Sequence, residues 1–189
     1  MRSTRLSLTI PRGCKVVLAV FAALALMAGC GGGSETRGAA PTATAELHDA
    51  SGRDVGTARF AEDGEGVRIL LELHGMPEGV KGVHIHETGS CEPPDFTSAG
   101  GHFNPEGKQH GKDNPLGPHA GDLPNVEVGK DGTGRFDTTS DRITLGTGTG
   151  SLFDADGSAL VVHAGPDDYK SDPSGDSGAR VACGVIRKE

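Results

Sequence analysis

Eight histidines stand at positions 48, 74, 84, 86, 102, 110, 119 and 163, and six of them are organised. His84 and His86 are separated by one residue in Gly82-Val83-His84-Ile85-His86-Glu87. On a strand both rings emerge from the same face, about 7 Å apart at the backbone, which is a feasible chelate bite. His102, His110, His119 and Asp122 fall within 21 residues of one another. Imidazole is a good ligand for zinc and copper, and a carboxylate adds charge that suits zinc. Each of these side chains taken singly reads as a solvated loop residue. Four together in one long segment read as a metal clip, because a bound ion offsets the entropy of ordering the loop. His163 closes the apolar run Leu160-Val161-Val162. On that segment alone the favoured reading is a core histidine bonded to a backbone carbonyl. His48 and His74 stand alone near strand ends and read as surface residues.

The elements that must hold these donors are strands. In Val67-Arg68-Ile69-Leu70-Leu71-Glu72-Leu73, residues Val67, Ile69, Leu71 and Leu73 share one face. Shorter alternating stretches occur at Thr44 to Leu47, Val126 to Val128 and Ile143 to Leu145, and buried-strand runs at Ala159 to Val162 and Val181 to Ile186. Ser51-Gly52, Asp63-Gly64, Asp131-Gly132 and Asp156-Gly157 mark turns between them. No ten-residue amphipathic helix is present in the pattern. Many short strands with regular turn signals predict an all-β antiparallel sandwich or barrel. Two segments, Glu87 to Pro124 and Ala164 to Ala179, fit no strand, and loops of that length are usually functional or pinned. Gly146-Thr147-Gly148-Thr149-Gly150 lacks phosphate-loop spacing and reads as a flexible connection.

Charge and composition narrow the function classes. The chain has 18 basic and 26 acidic residues, a formal charge of −8. Four basic residues (Arg2, Arg5, Arg12, Lys15) precede the first acid, Glu35, so 14 basic and 26 acidic residues, or −12, remain after it. A body that acidic, with no Trp and one Tyr, excludes nucleic acid as the expected partner. After the early basic residues, Val16 to Gly29 is an uncharged apolar run of 14 residues. It is shorter than the roughly 20 residues of a spanning helix and fits a secretory signal, so residues 1–29 are expected to be a leader. Gly31 to Pro41 is small and polar and reads as a tether, with the domain occupying 42–189. Leaving aside Cys14 in the leader and Cys30 beside it, Cys91 and Cys183 form an even pair. In an exported domain a disulfide is the default, and a thiolate metal site is the alternative.

Several motifs together resemble the copper/zinc superoxide dismutases. They are Gly82-Val83-His84-Ile85-His86-Glu87, Gly101-His102-Phe103-Asn104-Pro105, His110-Gly111, His119-Ala120-Gly121-Asp122-Leu123, Val161-Val162-His163 and Ala179-Arg180-Val181-Ala182-Cys183-Gly184-Val185-Ile186. The resemblance implies an all-β, Greek-key antiparallel β-barrel or sandwich of about eight strands with two long functional loops. It implies one copper per subunit on His84, His86, His102 and His163, and one zinc per subunit on His102, His110, His119 and Asp122. His102 would be an imidazolate shared by both metals and a proton carrier. Cys91 and Cys183 match the family disulfide, and Asp167 matches a carboxylate that accepts hydrogen bonds from His84 and His110. Arg180 would attract superoxide at the copper mouth, with Lys112 and Lys170 as further steering cations. Leu26-Met27-Ala28-Gly29-Cys30 resembles the lipobox of bacterial lipoproteins, which implies a lipid on Cys30 and anchorage to the outer face of the cell membrane. The implied reaction is dismutation of superoxide to oxygen and hydrogen peroxide, in protection of the cell envelope.

Two other functions compete, since a fold does not fix an activity. A copper-transfer domain would show exposed Cys or Met ligands, and after Cys30 the chain offers only Met76 besides the cysteine pair. A structural domain with zinc alone would leave His84 without a chemical task. Monomer and homodimer are both compatible with the sequence.

Overall fold

The structure is a computed structural model describing residues 42–189; the expected leader, Cys30 and the tether lie outside the described residues. Among the described residues ten strands follow one another: β1 Thr42–Asp49, β2 Asp54–Glu62, β3 Val67–Leu73, β4 Gly79–Lys81, β5 Val83–His86, β6 Val126–Val128, β7 Gly134–Ser140, β8 Ala159–His163, β9 Arg180–Val185 and β10 Arg187–Lys188. This exceeds the expected eight or so because Gly82 divides β4 from β5 and because β10 is a two-residue pairing with β1.

All strand pairings are antiparallel, in the order β4-β6-β7-β3-β2-β1-β9-β8-β5. The end strands β4 and β5 are consecutive in sequence, so the sheet curls into a nearly closed barrel. The chain leaves β3, passes β7 and β6 to reach β4, and returns from β7 to β8 on the far side. These crossings give the barrel its Greek-key character.

Alternation explains what faces inward. In β3 the buried residues are the predicted ones, Val67, Ile69, Leu71 and Leu73. They join Leu47, Phe60, Ile85, Leu152 and Leu160 in one interior cluster. Each such side chain stabilises by about 1.5–3 kcal/mol relative to exposure. Ile143 to Leu145 does not form a strand. Ile143 and Leu145 are buried, but the Leu145 N–H donates to the Glu62 carboxylate at 3.0 Å rather than to a ladder partner. Strands β2 and β7 had no clear sequence signal. β7 carries one apolar residue, Phe136, and forms because it completes the free edge of β3 in a seven-residue register.

The two long loops fall where expected, between β5 and β6 and between β8 and β9. The first packs on β8 and β9 through Phe96 and Ala99, and the second reaches β5 through Asp167 and His84. The Cys91–Cys183 disulfide ties the first loop to β9, with Cα atoms 5.7 Å apart. A second, smaller apolar cluster of Phe96, Ala99, Ala159, Val161 and Cys183 packs that loop on the sheet.

Candidate metal centre

Strand β5 is buried on both faces. Val83 and Ile85 enter the barrel core, so the period of two sends His84 and His86 to the outer face, beneath the loops. The same alternation in β8 places Leu160 and Val162 inside and leaves His163 outside. Along its other edge β5 pairs with pieces of the first loop. Ile85 donates to the Gly121 carbonyl at 2.9 Å and accepts from Phe103 N–H at 2.8 Å, and Glu87 N–H donates to Gly101 at 3.0 Å. His102 and Asp122 therefore lie directly beside β5. Gly121 is required at this crossing, because a Cβ there would meet the Ile85 oxygen at 2.3 Å.

Two donor sets result. In the first, His84 Nδ1, His86 Nε2, His102 Nε2 and His163 Nε2 are buried and have no hydrogen-bond partner. These four residues place donor atoms within 4.8 Å of one another. Orphaned buried polar atoms are costly, and four nitrogens converging in this way fit a ligand with empty orbitals.

In the second set, Asp122 Oδ1 lies 3.0 Å from His102 Nδ1 and 2.9 Å from His110 Nδ1. His119 Nδ1 is 3.4 Å from both Asp122 Oδ1 and His102 Nδ1. A tetrahedral ion with bonds near 2.0–2.1 Å requires donor separations of about 3.3 Å, so these contacts match the edges of a zinc tetrahedron. The donors that all lie within 4.8 Å of one another here are those of His84, His102, His110 and Asp122, and His119 joins them through its two 3.4 Å contacts. The Nε2 of His84 is engaged by Asp167, and its Nδ1 belongs to the first set.

Five of the six rings are fixed from behind. His84 Nε2–H donates to Asp167 Oδ2 at 3.0 Å and His110 Nε2–H to Asp167 Oδ1 at 2.9 Å. His86 Nδ1–H, His119 Nε2–H and His163 Nδ1–H donate to the carbonyls of Gly100, Lys108 and Gly178 at 3.0–3.1 Å. Such partners fix the tautomer and leave the lone pair on the inward nitrogen. His163 thus has the carbonyl partner expected of a core histidine and a free nitrogen as well. His102 alone has no outer partner: its Nδ1 faces one set and its Nε2 the other.

Electrostatics follow burial. Desolvation pushes His84 down to about 3, His86 to about 2 and His163 to about 4, and also lowers His102. These rings are neutral at physiological pH, as ligands must be. Burial also disfavours a charge on His110, but Asp122 and Asp167 on either side raise it to about 9. Asp122 and Asp167 resist burial and are held well below the usual carboxylate range, chiefly by hydrogen bonds from these rings.

A depression of about 580 Å³ opens over the first set, lined by His86, His102, His163, Arg180, Glu87 and Lys108 among others. The Arg180 guanidinium donates to the Phe96 and Gly100 carbonyls, each at 2.7 Å. Gly100 thereby holds both Arg180 and His86. Lys112 and Lys170 do not line this depression. Lys112 Nζ sits 4.1 Å over the Tyr169 ring. The lysine at the mouth is Lys108, paired with Glu106 at 2.6 Å, and sequence reasoning missed it because nothing distinguishes it from other loop lysines.

Residues 55–186 match the family described as copper/zinc superoxide dismutase. A relative named Superoxide dismutase [Cu-Zn] 2 from Aquifex aeolicus is 51% identical over 147 residues, covering 77% of this chain and 86% of its own. Superoxide dismutase [Cu-Zn] from Caulobacter vibrioides is 44% identical over 149 residues, covering 77% and 86%. A crystal structure of a superoxide-dismutase-like protein from Bacillus subtilis superposes with a TM-score of 0.72 at 43% identity, covering 75% of this chain and 96% of that one. With the barrel, the ordered motifs and both donor sets in place, the chain belongs to the copper/zinc superoxide dismutase family.

Proposed function

We infer that this chain dismutes superoxide, with copper on His84, His86, His102 and His163 and zinc on His102, His110, His119 and Asp122. The observation that carries this reading is the four unpartnered nitrogens of the first set beside a second set in which Asp122 contacts His102, His110 and His119 at 2.9–3.4 Å, joined by one ring. When bound, copper supplies one-electron chemistry and zinc a fixed positive charge. The protein's own residues do the rest. Arg180 is held by two carbonyls at the mouth and keeps its remaining N–H groups free to attract and orient a small monoanion. With screening over about 8 Å, a cation at that edge outweighs distant acids of the −12 body. His102 holds a proton at Nε2 in one half of the cycle and delivers it in the other. Two superoxide ions and two protons thus become oxygen and hydrogen peroxide. Asp167 keeps His84 and His110 in register across the two sets.

The leader-like residues 1–29 and the Cys30 motif support export and a lipid anchor on the outer face of the membrane, and with them a role in protecting the cell envelope. The deciding experiment pairs metal analysis with an activity assay. Purified protein carrying one copper and one zinc should dismute superoxide. Fully loaded protein without activity would overturn the reading in favour of a copper-binding domain.

A further inference from the structure

Tyr169 is the single tyrosine of the chain and lies in the second loop, two residues beyond Asp167. Its backbone is left-handed, with φ 63°, a conformation that bulky side chains rarely adopt. Three contacts hold it there. The Tyr169 hydroxyl accepts a hydrogen bond from Asn125 N–H at 2.8 Å. The Lys112 ammonium lies 4.1 Å from the centre of the ring. The Tyr169 carbonyl accepts from Asp113 N–H at 3.0 Å and presses so closely on Gly111 that a Cβ there would lie 2.1 Å away. Asn125, Lys112 and Asp113 all belong to the chain between β5 and β6, so the tyrosine is clamped onto the segment that carries the second donor set.

The same residue also brings one backbone N–H to the site. Tyr169 N–H donates to Asp167 Oδ1 at 2.6 Å, the same oxygen that accepts from His110. Asn125, the partner of the hydroxyl, also clasps the Asp167 backbone, donating to its carbonyl and accepting from its N–H, both at 2.9 Å. Asp167 is therefore held at its side chain by the Tyr169 N–H and at its main chain by the side chain of Asn125, the residue whose own N–H anchors the Tyr169 hydroxyl.

We propose that Tyr169 is a positioning residue for the metal centre: anchored by Asn125 and Lys112, it aims its backbone N–H at Asp167 and so fixes the rings of His84 and His110, one from each donor set. It touches neither substrate nor metal and acts through Asp167. A carboxylate free to swing would let both rings rotate, and the second set would release its ion more readily. The inference rests on the zinc reading of that set.

The test uses the full-length protein loaded with zinc, and with cobalt(II) as a spectroscopic substitute. Tyr169→Phe removes only the hydroxyl anchor, and Lys112→Met removes only the cation over the ring. Partners of metal-binding histidines change affinity about 10- to 100-fold, and a group one step further out should give about 3- to 10-fold. We expect each variant to release zinc to a chelator about 3- to 10-fold faster and to shift the cobalt absorption bands. Zinc release and cobalt bands equal to those of the parent protein would overturn the proposal, even with a lowered unfolding temperature, since that is all a merely structural tyrosine would give. If Tyr169→Phe fails to fold, Lys112→Met decides by the same two readouts. A parent protein that binds no zinc would instead refute the underlying assignment, and this proposal with it.

Discussion

Gly175 offers a sharp test of how tightly the loops are built around the donor sets. It has φ 63°, and a Cβ placed on it would lie 1.8 Å from Asp167 Oδ1 and 2.6 Å from His110 Nε2. In Gly175→Ala, Asp167 or the loop must move, because both neighbours are buried and already hydrogen-bonded to each other at 2.9 Å. Moving Asp167 weakens its bonds from His110 and His84. Each charge-assisted bond is worth about 1.5–3 kcal/mol, and the left-handed backbone adds about 1–2 kcal/mol for a residue with a Cβ. The expected loss is of order 3–5 kcal/mol in the metal-free protein, with zinc affinity down by at least about tenfold. Gly107 is a matched control: it has φ 64° and nothing within 4 Å of the added Cβ, so Gly107→Ala should cost only the backbone part. Urea unfolding and competition with a zinc chelator on both variants measure the difference. Equal losses for the two alanines would show that the Asp167–His110 contact does not govern the site.

Arg180→Glu should leave both metals bound, lower kcat/KM at least tenfold, and weaken or reverse the slowing of the reaction by salt; an unchanged rate would remove Arg180 from anion capture. The metal-free domain should be most stable near pH 6.5. Below that value His84, His86 and His163, pushed to about 3, 2 and 4, gain protons only on unfolding, so stability falls by of order 1 kcal/mol per pH unit for each ring. The contribution of His110, raised to about 9, is complete below pH 6.5 and lost as pH rises through 9. Unfolding curves from pH 4 to 9.5 check both limbs, and a flat profile would contradict the burial argument. Cys30→Ser should move the full-length protein from the membrane to the soluble fraction; retention in the membrane would argue against a lipid on Cys30.

Much of the site was legible because its residue types are rare in such density. Six histidines and Asp122 announce donor chemistry, and a period of two assigns His84 and His86 to one face. His163 was not legible in this way: it ends a continuously apolar run, reads on that segment as a core histidine, and is given a metal only by the family resemblance. What holds the rings from behind was less legible. Gly100, Lys108 and Gly178 contribute backbone carbonyls, and any residue can supply a carbonyl. Tyr169 and Asn125 act through main-chain groups, and Gly175 acts by having no side chain. The fold shows the same division. β3 was readable from Val67 to Leu73, while β7 was not, because a strand of Arg, Asp, Thr and Ser takes its stability from the neighbour it pairs with. Ile143 to Leu145 shows the converse: alternation marked burial correctly but not a strand, since Glu62 replaced the ladder partner.

The central claim is that one imidazole, His102, joins both donor sets. Electron paramagnetic resonance of protein carrying copper(II) in the first set and cobalt(II) in the second tests it most directly. A shared ring couples the two spins, so the copper signal should be lost or strongly broadened when cobalt enters. An intact, uncoupled copper signal at full occupancy of both sets would contradict it.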